Sequence, residues 1–231
     1  MVCKHEQKSI VTTIMKKAIL LGATGLIGSE LIKLLLDDAR YSHITSISRK
    51  EIGIQNPKLK QVTGDLFNMD SFAPEFQDGD DLFIAIGTTK AKTPDKTMYE
   101  KIDFGIPTAA AKLANENNIK NLCVVSSMGA NSKSSIFYTK LKGRVEDFIL
   151  DLNIDNVNIV RPSLLLGRSN EKRFGESFGA VVMKNLNFLI PKSSRAIQGL
   201  TVAKAMLILA NQKNDKQVWM NDELLEMVSN D

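Results

Sequence analysis

Tyr138 and Lys142, in SIFYTKLKGRVEDF, combine a phenol and an ammonium group at a spacing that can move a proton. At about 100° per residue they lie roughly 40° apart on a helix, beside an apolar stripe of Leu141, Val145, Phe148 and Ile149, so both are expected to face protein. A free phenol titrates near ~10, and a cation within a few ångströms lowers that by roughly one to three units, toward proton shuttling at neutral pH. A core tyrosine and a snorkelling lysine would give the same spacing, so the pair gains meaning only from its context. The apolar run before it ends in Ser126 and Ser127. Ser127 is the expected donor to a substrate carbonyl, whose oxygen would then sit between it and the Tyr138 hydroxyl. Ser126 stays open as the alternative, because neighbours on a strand point to opposite faces.

A second pattern supplies a site for the other reactant. In AILLGATGLIGSELIKLLL, Gly22, Gly25 and Gly28 follow a buried strand and open an amphipathic helix. Gly22 is expected to make the tight turn, Gly25 to let backbone approach a pyrophosphate, and Gly28 to let helix and strand pack closely. The helix start adds free N–H groups and about half a positive charge. The end of the second strand decides which dinucleotide binds. An acidic residue there suits an NAD ribose, whereas cations suit the 2′-phosphate of NADP. Ser48, Arg49 and Lys50 occupy that zone, and an Arg can meet a phosphate through several charge-assisted bonds. NADP is therefore expected, with Glu51 keeping NAD as the alternative.

Both patterns require a particular scaffold. Short apolar runs alternate with segments of helical period: strands are expected at 17–21, 44–48, 59–63, 81–85, 121–126, 156–161 and 218–220, and helices at 26–38, 106–117, 135–152 and 202–211. The right-handed crossover rule makes this an α/β doubly wound parallel sheet, a Rossmann fold with three α/β/α layers in one domain spanning residues 1–231. Residues 167–199 hold four glycines, a charge cluster and Pro191, and are expected to form a small C-terminal substrate lid. Residues 1–15 read as a flexible N-terminal tail.

Composition narrows the class. The 231 residues are 43% hydrophobic and 24% charged, values of a compact globular chain. Thirty Lys and Arg against 26 Asp and Glu leave a dispersed +4, too weak to mark a nucleic-acid binder, and no apolar run approaches the roughly 18 residues of a membrane span. Cys3 and Cys123 suit a reducing compartment, with Cys123 in a buried run, and two Cys with two His share no metal-ligand spacing. The first fourteen residues lack the apolar stretch of a secretory signal, which makes the cytoplasm the expected location.

Seven motifs in order, GATGLIG, SRK, GDL, AIGTT, SSMGA, YTKLK and RPSLLLG, resemble the short-chain dehydrogenase/reductase superfamily over nearly the whole chain, and most of all its atypical subgroup similar to the Tat-interacting-protein oxidoreductase. The resemblance implies an NADP-binding Rossmann domain with catalytic Ser127, Tyr138 and Lys142. It implies that Asp65 and Leu66 flank the adenine, that Ile86 and Gly87 line the ribose side, and that the segment opened by Arg161 and Pro162 passes near the nicotinamide. With the glycine turn, including Thr24, Leu26 and Ile27, with Ser48, Arg49 and Lys50, and with Lys142, these complete the expected cofactor-binding set. Where many members carry an Asn on the fourth helix, the nearest equivalent here is Asp103 in KIDFGIP. The implied activity is NADP-dependent hydride transfer to or from a small carbonyl or alcohol substrate, with Tyr138 as general acid/base. The alternatives are a non-catalytic NADP(H)-binding redox sensor and a nucleotide-sugar isomerase, for whose substrate domain the chain looks short. Superfamily members often pair through helices flanking the sheet, so a homodimer is one expectation.

Overall fold

The computed structural model describes residues 15–166 and 191–230. Its strands are β1 Lys16–Leu21, β2 Tyr41–Ser48, β3 Leu59–Thr63, β4 Asp81–Ile84, β5 Asn121–Val125, β6 Asn156–Arg161 and β9 Val218–Met220, in one sheet ordered β3-β2-β1-β4-β5-β6-β9 with every neighbouring pair parallel. The order reverses between β1 and β4, the switch point where ligands enter doubly wound sheets. The glycine turn follows β1 directly. A minor pair, β7 Leu165–Leu166 with β8 Ile197–Gln198, lies outside this sheet.

Helices cover both faces because the central strands are apolar on both. Ala18 and Leu20 of β1 join one core with Phe83, Cys123, Leu31, Leu35 and Met206, while Ile19 and Leu21 join the other with Leu82, Ile84, Ala110 and Ile149. This is the period-2 alternation of a doubly buried strand. The first face carries α1 Gly28–Asp37 and α5 Gly199–Ala210; the second carries α3 Ile106–Glu116, α4 Phe137–Leu150 and a 3-10 helix over Met69–Phe76. Two short helices, α2 Lys96–Glu100 before α3 and α6 Asn221–Ser229 after β9, with a π-turn over Lys101–Gly105 and a 3-10 turn over Lys192–Ser194, complete the described chain.

The expected three-layer Rossmann architecture is therefore observed. Helix boundaries differ by up to three residues, as fraying ends do, and β2 begins three residues earlier than expected. Residues 1–14 of the expected tail and 167–190 of the expected lid lie outside the described residues. Cys123 is buried, and burial pushes its thiol well above the ordinary range, with the Asp81 charge adding to the effect. Among the described residues no helix is long and apolar enough to cross a membrane, and no group of three His, Cys, Asp or Glu could hold a metal.

Candidate functional site

The glycine turn is built by close backbone approach. Gly22 has φ +95°, and a Cβ there would lie 2.5 Å from the Ala85 carbonyl oxygen at the end of β4. A Cβ on Gly28 would lie 2.1 Å from the Gly22 carbonyl oxygen, so any side chain would push α1 off the turn. The Gly25 N–H donates to the Gly22 carbonyl at 2.9 Å. No side chain caps α1, and Ile27, at its N-cap, is spent on the core. The opening N–H groups thus keep the anion-binding character of an uncapped helix start. Thr24 is exposed and Leu26 half-buried against Gly199.

At the end of β2 the Ser48 hydroxyl donates to the Lys50 carbonyl at 2.6 Å, tightening the turn that presents Arg49 and Lys50. Both cations are exposed. Asp65 is exposed, and its carboxylate accepts the Phe67 N–H at 3.0 Å, a local turn bond, while Leu66 is 7% exposed and packs in the core. A crevice of about 330 Å³ opens beside Leu66, Phe67, Met98 and Ile106. It reaches none of Gly22, Gly25, Gly28, Ser127, Tyr138 or Lys142; the glycine turn and the buried polar atoms mark the chemistry.

Three residues connect the turn to the second constellation. From Ala85, against Gly22, the chain runs through Ile86 to Gly87, where an added Cβ would lie 3.3 Å from Asp103 Oδ1 and 3.7 Å from Lys142 Nζ. Two residues of chain span at most about 7 Å, so the Lys142 ammonium and the glycine turn share one end of the sheet. Lys142 is 5% exposed, and its Nζ lies 3.0 Å from Asp103 Oδ1. The contact is ionic but out of line for a hydrogen bond, which leaves Oδ1 without a donor. Oδ2 accepts the Thr88 N–H at 2.7 Å.

Tyr138 departs from expectation: at 39% exposed it does not face the core. It sits in the first turn of α4, next to the exposed Phe137, whereas Lys142 one turn later is covered. The i,i+4 relation still keeps the two on one helix face, about 5–6 Å apart at Cβ.

The serine pair separates by face. Ser126 donates to Glu146 on α4 and is consumed there. Ser127 is 9% exposed, and its hydroxyl oxygen has no hydrogen-bond partner, a costly state for a buried hydroxyl. Gly143 locks this loop to α4, since a Cβ there would lie 2.1 Å from the Ser132 nitrogen.

Arg161 is not free for a cofactor. Its guanidinium makes a bidentate pair with Glu146, 3% exposed, with Nε to Oε1 at 2.9 Å, and that hydrogen bond raises its pKa against the opposing cost of burial. The expected contact near the nicotinamide thus becomes a structural clamp of β6 on α4. Pro162 is buried, and its carbonyl accepts the Met128 N–H at 3.0 Å, tying the Ser127 loop to β6. Glu146 went unnoticed in the sequence, although it follows Lys142 by four residues on the same buried face.

Comparisons with known proteins agree with this architecture. Residues 22–178 match the NAD(P)H-binding family. The chain is 31% identical to rat Protein HTATIP2 over 198 residues, covering 83% of this chain and 80% of that protein. It is 37% identical over 180 residues to mitochondrial Protein FMP52 of Meyerozyma guilliermondii, covering 76% and 78% of the two chains. Among solved structures, MoeE5 in complex with UDP-glucose and NAD superposes with TM-score 0.67 at 13% identity, covering 93% of this chain and 81% of that one. A short chain dehydrogenase family protein from Francisella tularensis gives 0.60 at 17% identity, covering 91% and 93%; at such identities the likeness shows the fold. The yeast relatives are named mitochondrial, which overturns the expected cytoplasmic location. Cysteine usage and the lack of a long apolar run fit either compartment, and cytoplasm followed only as the default. The glycine turn at the switch point, the matched family and the HTATIP2 relative together place the chain in the NAD(P)H-binding family, as an atypical short-chain dehydrogenase/reductase.

Proposed function

We propose that the protein is an NADP-dependent oxidoreductase of a small carbonyl or alcohol substrate, working in mitochondria as its yeast relatives' names indicate. The observation that carries this reading is the Ser127 hydroxyl, buried and unpartnered at the end of β5, on the loop that Gly143 fastens to the helix bearing Tyr138 and Lys142. A buried donor without an acceptor is what a substrate oxygen would satisfy.

The residues present fit a dinucleotide. The cradle at Gly22 and Gly28 excludes any Cβ, α1 opens without a side-chain cap, and Arg49 and Lys50 stand at the end of β2 where a 2′-phosphate calls for cations. Bound there, the cofactor would supply or take the hydride. In reduction, Ser127 holds the carbonyl oxygen and Tyr138 gives it the phenolic proton; in oxidation Tyr138 takes that proton back. Lys142 contributes positive charge beside the phenol and a donor for the cofactor. Small-molecule turnover is the partner interaction this requires; nucleic acid, a membrane or a metal has no part in it.

The test is NADPH oxidation over a panel of aldehydes, ketones and quinones, with Tyr138→Phe beside wild type. A positioned general acid contributes about 10²–10⁴-fold, so the variant should lose at least about a hundredfold in turnover while still binding cofactor. Cofactor binding with no Tyr138-dependent turnover on any substrate would instead identify a non-catalytic redox sensor.

A further inference from the structure

Ten large apolar side chains stand exposed among the described residues, and half of them crowd one place. Met128 follows Ser127 at the end of β5, Ile136 and Phe137 lead into Tyr138 at the start of α4, and Leu164 follows the end of β6. Hydrogen bonds draw these three segments together. The Met128 N–H donates to the Pro162 carbonyl at 3.0 Å, which brings the loop after β5 within two residues of Leu164. The Asn131 N–H donates to the Thr139 carbonyl at 2.9 Å, which fastens the same loop to the first turn of α4. The five side chains therefore stand around the end of β5, where the unpartnered Ser127 hydroxyl lies.

Their backbone is firmly held. Leu164 is 57% exposed, yet its carbonyl accepts the Ile197 N–H at 3.0 Å, and the Ser163 N–H before it donates to Asn221 Oδ1 at 2.9 Å. Ile136 is 63% exposed, while its N–H donates to the Ser134 hydroxyl at 3.1 Å and its carbonyl accepts the Lys140 N–H at 2.9 Å. The Phe137 ring lies edge-on to Tyr99, with centres 5.6 Å apart. Apolar side chains presented to water on a fixed frame are the preorganised surface of a ligand site. Charge points the same way. The segments 126–138 and 161–166 carry two charged side chains, the exposed Lys133 and Arg161, which Glu146 takes. Lys96 reaches the rim from α2, with its ammonium 5.8 Å from the Phe137 ring centre, and the buried Lys142 faces Asp103. We propose that Met128, Ile136, Phe137 and Leu164 form the apolar rim of the substrate site, and that the carbonyl compound it takes carries an uncharged hydrocarbon body rather than a carboxylate, a phosphate or a nucleotide. The inference deepens the oxidoreductase reading and rests on it. The reacting oxygen goes to Ser127 and Tyr138, and the hydrocarbon lies across the rim, where each methylene withdrawn from water adds to binding.

The experiment follows the reaction of carbonyl compound, NADPH and a proton to alcohol and NADP+, using the full chain. Its substrates are straight-chain aldehydes from propanal to octanal, methyl ketones of the same lengths, and carboxylate-ended counterparts of the longer chains. Wild type, Ile136→Ser, Leu164→Ser and the double variant are compared, each with an NADPH titration and a thermal melt. In wild type, kcat/KM should rise about two- to fourfold for each added methylene. Each carboxylate-ended chain should fall at least about tenfold below its parent, because the rim offers the charge no partner. The double variant should lose most of the rise. The slope is the readout, because a variant that folds less well or binds NADPH less tightly loses rate on every chain length alike. A wild-type rate indifferent to chain length, a preference for the carboxylate series, or a slope that survives both substitutions would overturn the proposal. Wild type failing on every carbonyl compound would sink the oxidoreductase reading and this proposal together, whereas turnover without chain-length dependence sinks this proposal alone.

Discussion

Lys142 and Glu146 lie on the buried face of α4, where an amphipathic helix ordinarily places apolar residues. Buried charges persist only when paired, and each is matched from another element: Lys142 by Asp103, Glu146 by Arg161 and the Ser126 hydroxyl. At this scale the glycine turn could be read from spacing because the motif is local, whereas the tyrosine and lysine drew their meaning from what surrounds them. The partners could not, since only folding brings 103 to 142 or 161 to 146. The two serines differ by environment in the same way: Ser126 faces α4 and donates to Glu146, while the Ser127 hydroxyl is left unpartnered. On the proposed reading, Arg49 is the residue on which cofactor preference turns. Its side chain is exposed at the end of β2, and a charge-assisted contact to a 2′-phosphate is worth roughly 1.5–3 kcal/mol. Arg49→Ala should therefore weaken NADPH binding at least about tenfold more than NADH binding, measured by parallel titrations. Equal losses would show that no 2′-phosphate contact exists there.

Among the elements, the central strands were legible because burial on both faces makes them continuously apolar, and α1, α3, α4 and α5 because they run for about three turns or more. The elements missed were short or irregular ones. α2 has five residues and is announced only by its cap, the Asp95 carboxylate accepting the Met98 N–H at 2.7 Å. The π-turn is a response to Pro107, and α6 starts where the Glu223 carboxylate accepts the Met220 N–H at 2.8 Å. At the far end of α1, Asp38 makes the exit turn. Burial opposes its ionisation, but hydrogen bonds from the Arg40 side chain and N–H, with the Arg40 and Lys58 charges, outweigh that and hold its carboxyl below the ordinary 3.8. A lowered folded pKa gives stability that is present above the unfolded value and lost as pH falls through the folded one. Asp38→Asn should accordingly cost about 0.5–1 kcal/mol at pH 7, the scale of a solvent-screened pair. Urea melts at pH 7 and below pH 3.8 should show the deficit shrinking in acid; a constant deficit would mean that the charge contributes nothing.

At the scale of the whole molecule, the two ends of the sheet do different work. The carboxyl ends of β1, β2, β4 and β5 carry the glycine turn, Arg49, Gly87 and Ser127, whereas the first residues of β1, β2, β4, β5 and β6 form a polar belt. Lys16 Nζ pairs with Asp81 at 3.1 Å, the Tyr41 hydroxyl and Asn121 amide donate to the same carboxylate, Asn156 donates to Asn121 at 2.9 Å, and Asn211 donates to the Tyr41 oxygen at 3.0 Å. Burial raises the Tyr41 phenol far above its ordinary value, and the Asp81 charge adds to this, so the phenol stays a donor. Nothing in the sequence joined the five strand-start positions; register brings them together, and Asn211 joins from the end of α5. Tyr41→Phe keeps the ring and removes one donor, leaving Asp81 its Lys16 and Asn121 partners and Asn211 its bond to the Leu207 carbonyl at 2.9 Å. The loss should be about 1–2 kcal/mol, or several degrees in Tm for a chain of this size. Because the six residues of β1 put roughly 20 Å between the belt and the glycine turn, NADPH affinity should stay within about twofold of wild type. A Tm drop accompanied by a tenfold loss of cofactor affinity would show instead that the sheet transmits strain from one end to the other, and that stability and binding are not divided between its edges.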